Sequence, residues 1–129
     1  MISLPWTVGA LTLFAIKHLV ADFLLQPGWM AYRKGQLNGW FLPTAAHALV
    51  HATATSVIFG LLAPRYIWLA GVDLLAHFAI DRSKVVINQA LGLDIRKPGY
   101  WFSFGIDQTL HELTNIVFAL VIAAAHTTG

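Results

Sequence analysis

Eight side chains in this sequence have the types and spacing of a metal-binding site. His18 and Asp22, His47 and His51, His77 and Asp81, and Asp107 and His111 form four pairs, each four residues apart. On a helix, residues four apart share one face. Imidazole and carboxylate are ligands for Zn²⁺, Fe and Mn²⁺, and His-x-x-x-His at 47–51 is a chelating spacing. Eight ligands suffice for one or two divalent ions, zinc first among them, each with a position open to water. Such an ion lowers the pKa of its bound water toward ~7 and so supports hydrolysis of an ester or phosphoester. Asp73 lies one turn before His77 and is expected to serve as a general base or a ninth ligand.

The elements that must position these residues are membrane helices. Of 129 residues, 57% are hydrophobic and only 11% are charged, against about a quarter charged in soluble domains. The formal net charge of +2 gives no reason to expect a nucleic-acid partner. The chain has no cysteine, so disulfides and thiolate ligands are excluded. Four apolar runs, at about 5–26, 42–62, 67–89 and 102–125, each match a ~30 Å hydrocarbon core. They predict an all-α, integral membrane four-helix bundle forming a single domain over 1–129. The N-terminal run lacks a basic leader and an A-x-A-like cleavage site, and is expected to be a retained helix. "QPG", "GQLNG", "AP" and "KPG" separate the runs, and Trp and Tyr residues near their ends fit an interfacial belt.

Arg33, Lys34, Arg82, Lys84, Arg96 and Lys97 all lie in or beside the first and third connections, whereas the second holds only Arg65. The positive-inside rule then makes the first and third connections cytoplasmic and sets both termini outside. The segment 82–97 is expected to extend the third helix into the interface or to lie along it. Arg82 and Lys84 read as interface anchors, in a position that would also suit a lipid phosphate. Lys17, about 100° from the site face, is expected to snorkel. Glu112 has no evident partner, and the terminal His126 has no assigned role.

The pairs also repeat. His18, Asp22, His47 and His51 are spaced 4, 25 and 4 residues apart; His77, Asp81, Asp107 and His111 are spaced 4, 26 and 4 apart. "GWF" at 39–41 and "GYWF" at 99–102 precede the second pair of each set. This pattern predicts two copies of one helical hairpin, offset by 59 to 60 residues. Both copies start on the same side, so the pseudo-twofold axis runs along the membrane normal. All four polar stripes then fall at one depth, on the cytoplasmic side of the bilayer.

"HLVADFLLQP", "HALVH", "HFAIDRSK" and "DQTLH" resemble a family of small bacterial membrane proteins known as domain of unknown function 3307. The resemblance implies a multi-pass protein of the bacterial inner membrane and implies no activity.

The residues themselves point first to a metal-dependent hydrolase acting on a lipid or lipid-like substrate near the cytoplasmic headgroup level. A b-type haem protein, with His47 and His111 as axial ligands, is the first alternative. The second is a non-catalytic subunit of a membrane complex or a proton or metal conductor, in which His and Asp form a hydrogen-bonded seam. Membrane lipids, and other membrane subunits in the last case, are the partners these readings imply. The topology is directly testable, because the chain has no native cysteine. Single cysteines at 2, 64 and 128 should label from one side of the membrane and a cysteine at 36 from the other. Labelling of 2 and 36 from the same side would contradict the orientation.

Overall fold

The apolar runs contain few helix breakers, and each folds as one long helix. The computed structural model describes residues 1–127; residues 128 and 129, the last of the expected domain, lie outside the described residues. Helix α1 covers Leu4–Leu19 and continues through a π-helical turn, Val20–Leu24. Helix α2 is Gly28–Lys34 and α3 is Phe41–Leu62. A 3-10 turn at Pro64–Tyr66 leads into α4, Leu69–Ala90, and α5 is Pro98–Ala125. The chain is all-helical, with no strand among the described residues.

Two departures from the sequence expectation have local causes. The 26–39 stretch, read as a connection, contains α2: Pro27 stands at its N-cap in an extended conformation and Met30 anchors its buried face. The fourth helix begins at Pro98 rather than near 102, with proline in its first turn, where the missing N–H costs no hydrogen bond. The 82–90 stretch does extend the third helix. That helix ends in a Schellman motif. Gly92 has φ +59°, its N–H reaches Gln89 O at 3.2 Å, and the Leu93 N–H reaches Asn88 O at 2.8 Å.

Three helices, spanning Leu4–Leu24, Phe41–Leu62 and Pro98–Ala125, are long and apolar enough to cross a membrane, which marks the protein as membrane-associated. Helix α4 equals α3 in length at 22 residues, but Asp73, Asp81, Arg82 and Lys84 make it more polar. Its outward face is apolar all the same: Val72, Leu75, Val86 and Ile87 are exposed, while Asp73, His77, Asp81 and Asn88 are buried. Large apolar side chains outside and polar ones inside invert the arrangement of a soluble protein. Helix α1 packs mainly on α5 and α3 mainly on α4, with further contacts of α4 on α5 and α1 on α3.

The interior is layered along the helix axes. At the end that carries both termini, Trp6 stacks on His126 at 3.6 Å, which gives that histidine a packing role the sequence did not reveal. Next come Phe14, Phe59 and Phe118, with ring centroids 5.7–6.2 Å apart among small Ala residues. The polar layer comes after them, and α2 lies at the far end. There Arg82 covers the Trp40 ring at 3.8 Å, and Gln89 Nε2 donates to Gly35 O at 2.9 Å. In the exposed α4–α5 connection, the Arg96 guanidinium holds the Asp94 carboxyl below its usual pKa.

The Phe layer should dominate packing stability. Phe59→Ala should cost about 3–5 kcal/mol in detergent-solubilised protein. Phe102→Ala, at an exposed position, should shift the thermal midpoint little. Equal losses for the two variants would mean that the Phe layer is not the core.

Candidate metal centre

The four long helices bring all eight expected side chains into one layer. His47, His51, His77, Asp81, Asp107, His111 and His18 are buried, and Asp22 is half-buried. The five imidazoles form a continuous cluster. His51 and His77 stack at 3.7 Å, His77 and His111 at 4.0 Å, and His47 meets the edges of His51 and His77 at 4.8 and 5.1 Å. His18 completes it, 5.8 Å from His51 and 5.9 Å from His111.

Asp22 is the hub of one half. His51 Nε2 donates to its Oδ1 at 2.8 Å, His47 Nε2 lies 3.3 Å from the same oxygen, and His18 Nε2 lies 3.0 Å from Oδ2. The π-helical turn carries Asp22 here, closed by an i→i+5 bond from Leu25 N–H to Val20 O at 2.9 Å. Single π turns of this kind recur at functional sites. Asp81 is the hub of the other half. His111 Nε2 donates to its Oδ1 at 3.1 Å, and His77 Nε2 lies 3.8 Å away. Asp107 is 3.7 Å from His111 Nε2.

Two sets of ligand atoms converge: Asp22, His47, His51 and His77; and His77, Asp81 and His111. Within each set the atoms lie within 4.8 Å of one another. Tetrahedral zinc with ~2.0–2.1 Å bonds separates its ligand atoms by roughly 3.3 Å, so modest side-chain rotation closes either set. His18 and Asp107 flank the sets without belonging to them. Asp73 stands apart: its Oδ2 accepts hydrogen bonds from Lys17 Nζ at 2.9 Å and Thr55 Oγ1 at 2.5 Å.

The lysines are the main correction to the sequence reading. Lys17 does not snorkel. It is 6% exposed and paired with Asp73 one layer deeper. Its 100° offset from His18 turns it toward another part of the interior, and its long stem reaches a helix that no local pattern could identify. Lys34 Nζ pairs with Asp81 Oδ2 at 2.5 Å and Lys84 Nζ with Asp107 Oδ2 at 2.9 Å, so both belong to the site as well as to the basic end. Gln108, which the sequence reading did not single out, sits 3.1 Å from His18 Nε2, and Glu112 finds a partner in His18 Nδ1 at 3.5 Å.

Several buried atoms of the layer have no hydrogen-bond partner among the described residues: His47 Nδ1, His51 Nδ1, His77 Nε2 and Asp107 Oδ1. A buried polar atom without a partner costs about 1–3 kcal/mol, so each of these four atoms calls for a partner; Asp107 Oδ1 lies outside both ligand sets. A narrow cleft of about 140 Å³ reaches it, lined by Asp22, Lys34, His47, Asp81, Lys84 and Gln108 among others.

The Lys17–Asp73 pair makes a specific stability prediction. Lys17→Met leaves a buried carboxylate uncompensated and should cost about 3–5 kcal/mol, whereas Lys17→Met combined with Asp73→Leu should recover most of that loss. Denaturation of the solubilised variants measures both. Additive losses in the double variant would show that the two residues do not act as a pair.

No curated protein and no solved structure matches the chain. The model of the family described as "Protein of unknown function (DUF3307)" matches residues 10–128, which include all eight residues of the layer, and the protein belongs to that family.

Proposed function

We propose that this protein is an intramembrane metal-binding protein, and that its chemistry is metal-dependent hydrolysis of a lipid or lipid-like substrate. The observation that carries the reading is the charge balance around Asp22. Asp73, Asp81 and Asp107 each have a lysine partner, whereas among the described residues Asp22 is paired with the imidazoles of His18, His47 and His51 and with no lysine. The carboxylate of Asp22 with the imidazoles of His47, His51 and His77 is a donor set that suits a divalent cation. Zinc fits the His and Asp donors best, and iron or manganese are also compatible.

In this reading Asp22, His47, His51 and His77 hold the first ion. His77, Asp81 and His111 hold a second or share the first, since His77 is common to both sets. The ion supplies a nucleophilic water at neutral pH. The narrow cleft would admit water and the scissile ester; the water oxygen would bond to the acyl carbon or phosphorus as the C–O or P–O bond to the leaving oxygen breaks, and a proton of that water would pass to the leaving oxygen. Lys34 and Lys84 stabilise negative charge that develops on the substrate. Asp73 could act as a general base only by releasing Lys17 and Thr55, so the proposal gives it a compensating role instead. A haem bridging His47 and His111 would have to part the stacked rings of His51, His77 and His111, which makes the haem alternative less favourable.

The same reading takes all four long helices as membrane spans of a bacterial inner-membrane protein with both termini outside. It also takes the bundle as a two-hairpin repeat about an axis along the membrane normal. In support, the Asp22–His51 contact of 2.8 Å has its counterpart in Asp81–His111 at 3.1 Å. The packing of α1 on α5 is matched by that of α4 on α3.

Elemental analysis of protein purified without chelator tests the proposal. Wild type should carry at least about one transition-metal ion per chain. His77→Gln, which touches both sets, should lose more metal than His51→Ala or His111→Ala, and His126→Gln should lose none. A metal-free wild type whose stability is indifferent to added zinc would refute the metal centre. The layer would then be a hydrogen-bonded seam, and the accessory-subunit reading would replace this one.

A further inference from the structure

Two more cavities meet the site at Lys84. One, about 280 Å³, opens at the α2 end between α2, α4 and the start of α5; Lys34, Thr44, Asp81, Lys84, Asn88 and Tyr100 are among its lining residues. The other is a groove of about 250 Å³ along the α4–α5 seam. Its lining is mostly apolar, with Ala79, Ile80, Ile87, Ile106 and Leu110 beside Lys84 and Asp107. Lys84 lines both cavities and the narrow cleft to the imidazoles, so one ligand can extend from the groove, past the ammonium group, to the His/Asp layer.

The chemistry of the larger cavity is specific. Lys34 and Lys84 are held by Asp81 and Asp107, and each ammonium group keeps further N–H donors with no other partner among the described residues, which suit an oxygen-rich head. Asn88 is 8% exposed and its Oδ1 has no hydrogen-bond partner among the described residues, so the cavity also presents a buried acceptor that calls for a hydroxyl donor. An apolar groove running from the same lysine along the α4–α5 seam calls for a hydrocarbon chain.

We infer that the cavity at Lys34, Lys84 and Asn88, with the α4–α5 groove, binds an acyl-chain lipid whose head combines a phosphate with a free hydroxyl, as in a lysophosphatidic or phosphatidylglycerol-like headgroup. The phosphate lies between Lys34 and Lys84, the hydroxyl donates to Asn88 Oδ1, and the chain runs along Ile106 and Leu110. Lipid binding stands apart from the proposed hydrolase; only turnover of the bound lipid rests on that reading. The binding site itself is built from residues outside the two ligand sets, Asp81 excepted.

The test uses full-length protein in phosphatidylcholine nanodiscs, both metal-loaded and chelator-treated, with metal content measured on the same samples. Lauroyl-lysophosphatidic acid is titrated and followed by its ³¹P resonance, with glycerol 3-phosphate as the chain-free competitor. Saturable binding of the lipid should persist after chelation, and glycerol 3-phosphate should compete weakly. Lys84→Gln and Asn88→Leu should each weaken binding by about tenfold, the loss of one charge-assisted or buried hydrogen bond. Ala79→Trp, at an exposed position lining the groove, should fold normally and weaken binding by filling the groove. Full competition by glycerol 3-phosphate with no effect of Ala79→Trp would assign the cavity to a soluble phosphate ester and overturn the inference. So would no saturable binding, or binding that none of these variants affects. Lipid binding by a protein that takes up no metal even when metal is supplied would leave this inference standing while the metal proposal fails; a metal-loaded protein that ignores the lipid would do the reverse.

Discussion

Four carboxylates in the helical interior, three buried and Asp22 half-buried, are the constraint on which the rest of this structure depends. An Asp near the middle of a membrane helix costs ~2.5–3.5 kcal/mol on insertion scales unless something compensates it. Each of the four is met by side chains from a different helix. Asp73 takes Lys17 and Thr55, Asp81 takes Lys34 and His111, Asp107 takes Lys84, and Asp22 takes His47 and His51 together with His18 of its own helix. These contacts fix the rotation of every long helix about its axis. Another rotation of α1, α4 or α5 would break these pairs, so helix orientation and site geometry are specified together.

The layering is a consequence of that constraint. Close-packed Phe and Ala residues seal the interior at the end with the termini, and Lys34 and Lys84 gather where α2 and the clefts open the other end. The polar layer between them is dry on one side and accessible on the other. Such an asymmetry suits chemistry that needs strong electrostatics together with an entry route for a substrate from the interface. The imidazole stack of His51, His77 and His111 supplies rigidity, because each ring is held by its neighbours as well as by its helix.

The sequence made the helices and the eight-residue layer legible, for two physical reasons. Hydrocarbon thickness sets the length of an apolar run, and a four-residue spacing places ligands on one helix face. It hid the lysines. Lys17 looked like a surface cation because local phase says only that it is 100° from His18, and what occupies that direction is decided by tertiary packing. Lys34 reads as a topology signal and Lys84 as an interface anchor, roles that long side chains can combine with ion pairing. The π turn at Val20–Leu24 and the short helix α2 were also hidden. The first has no local signature, and the second comes after a Pro-Gly pair that reads as an interruption. The stacking of Trp6 on His126 joins the two ends of the chain, so no local pattern announces it.

The central claim is that the imidazole and carboxylate layer is a metal centre, and X-ray absorption at the zinc edge of zinc-loaded protein tests it most directly. A metal centre of this kind predicts a first shell of nitrogen and oxygen at about 2.0–2.1 Å, with the outer-shell scattering of at least two imidazole rings. Both signals should diminish in His77→Gln. A shell of oxygen alone without imidazole scattering, or a spectrum unchanged in His77→Gln, would contradict it.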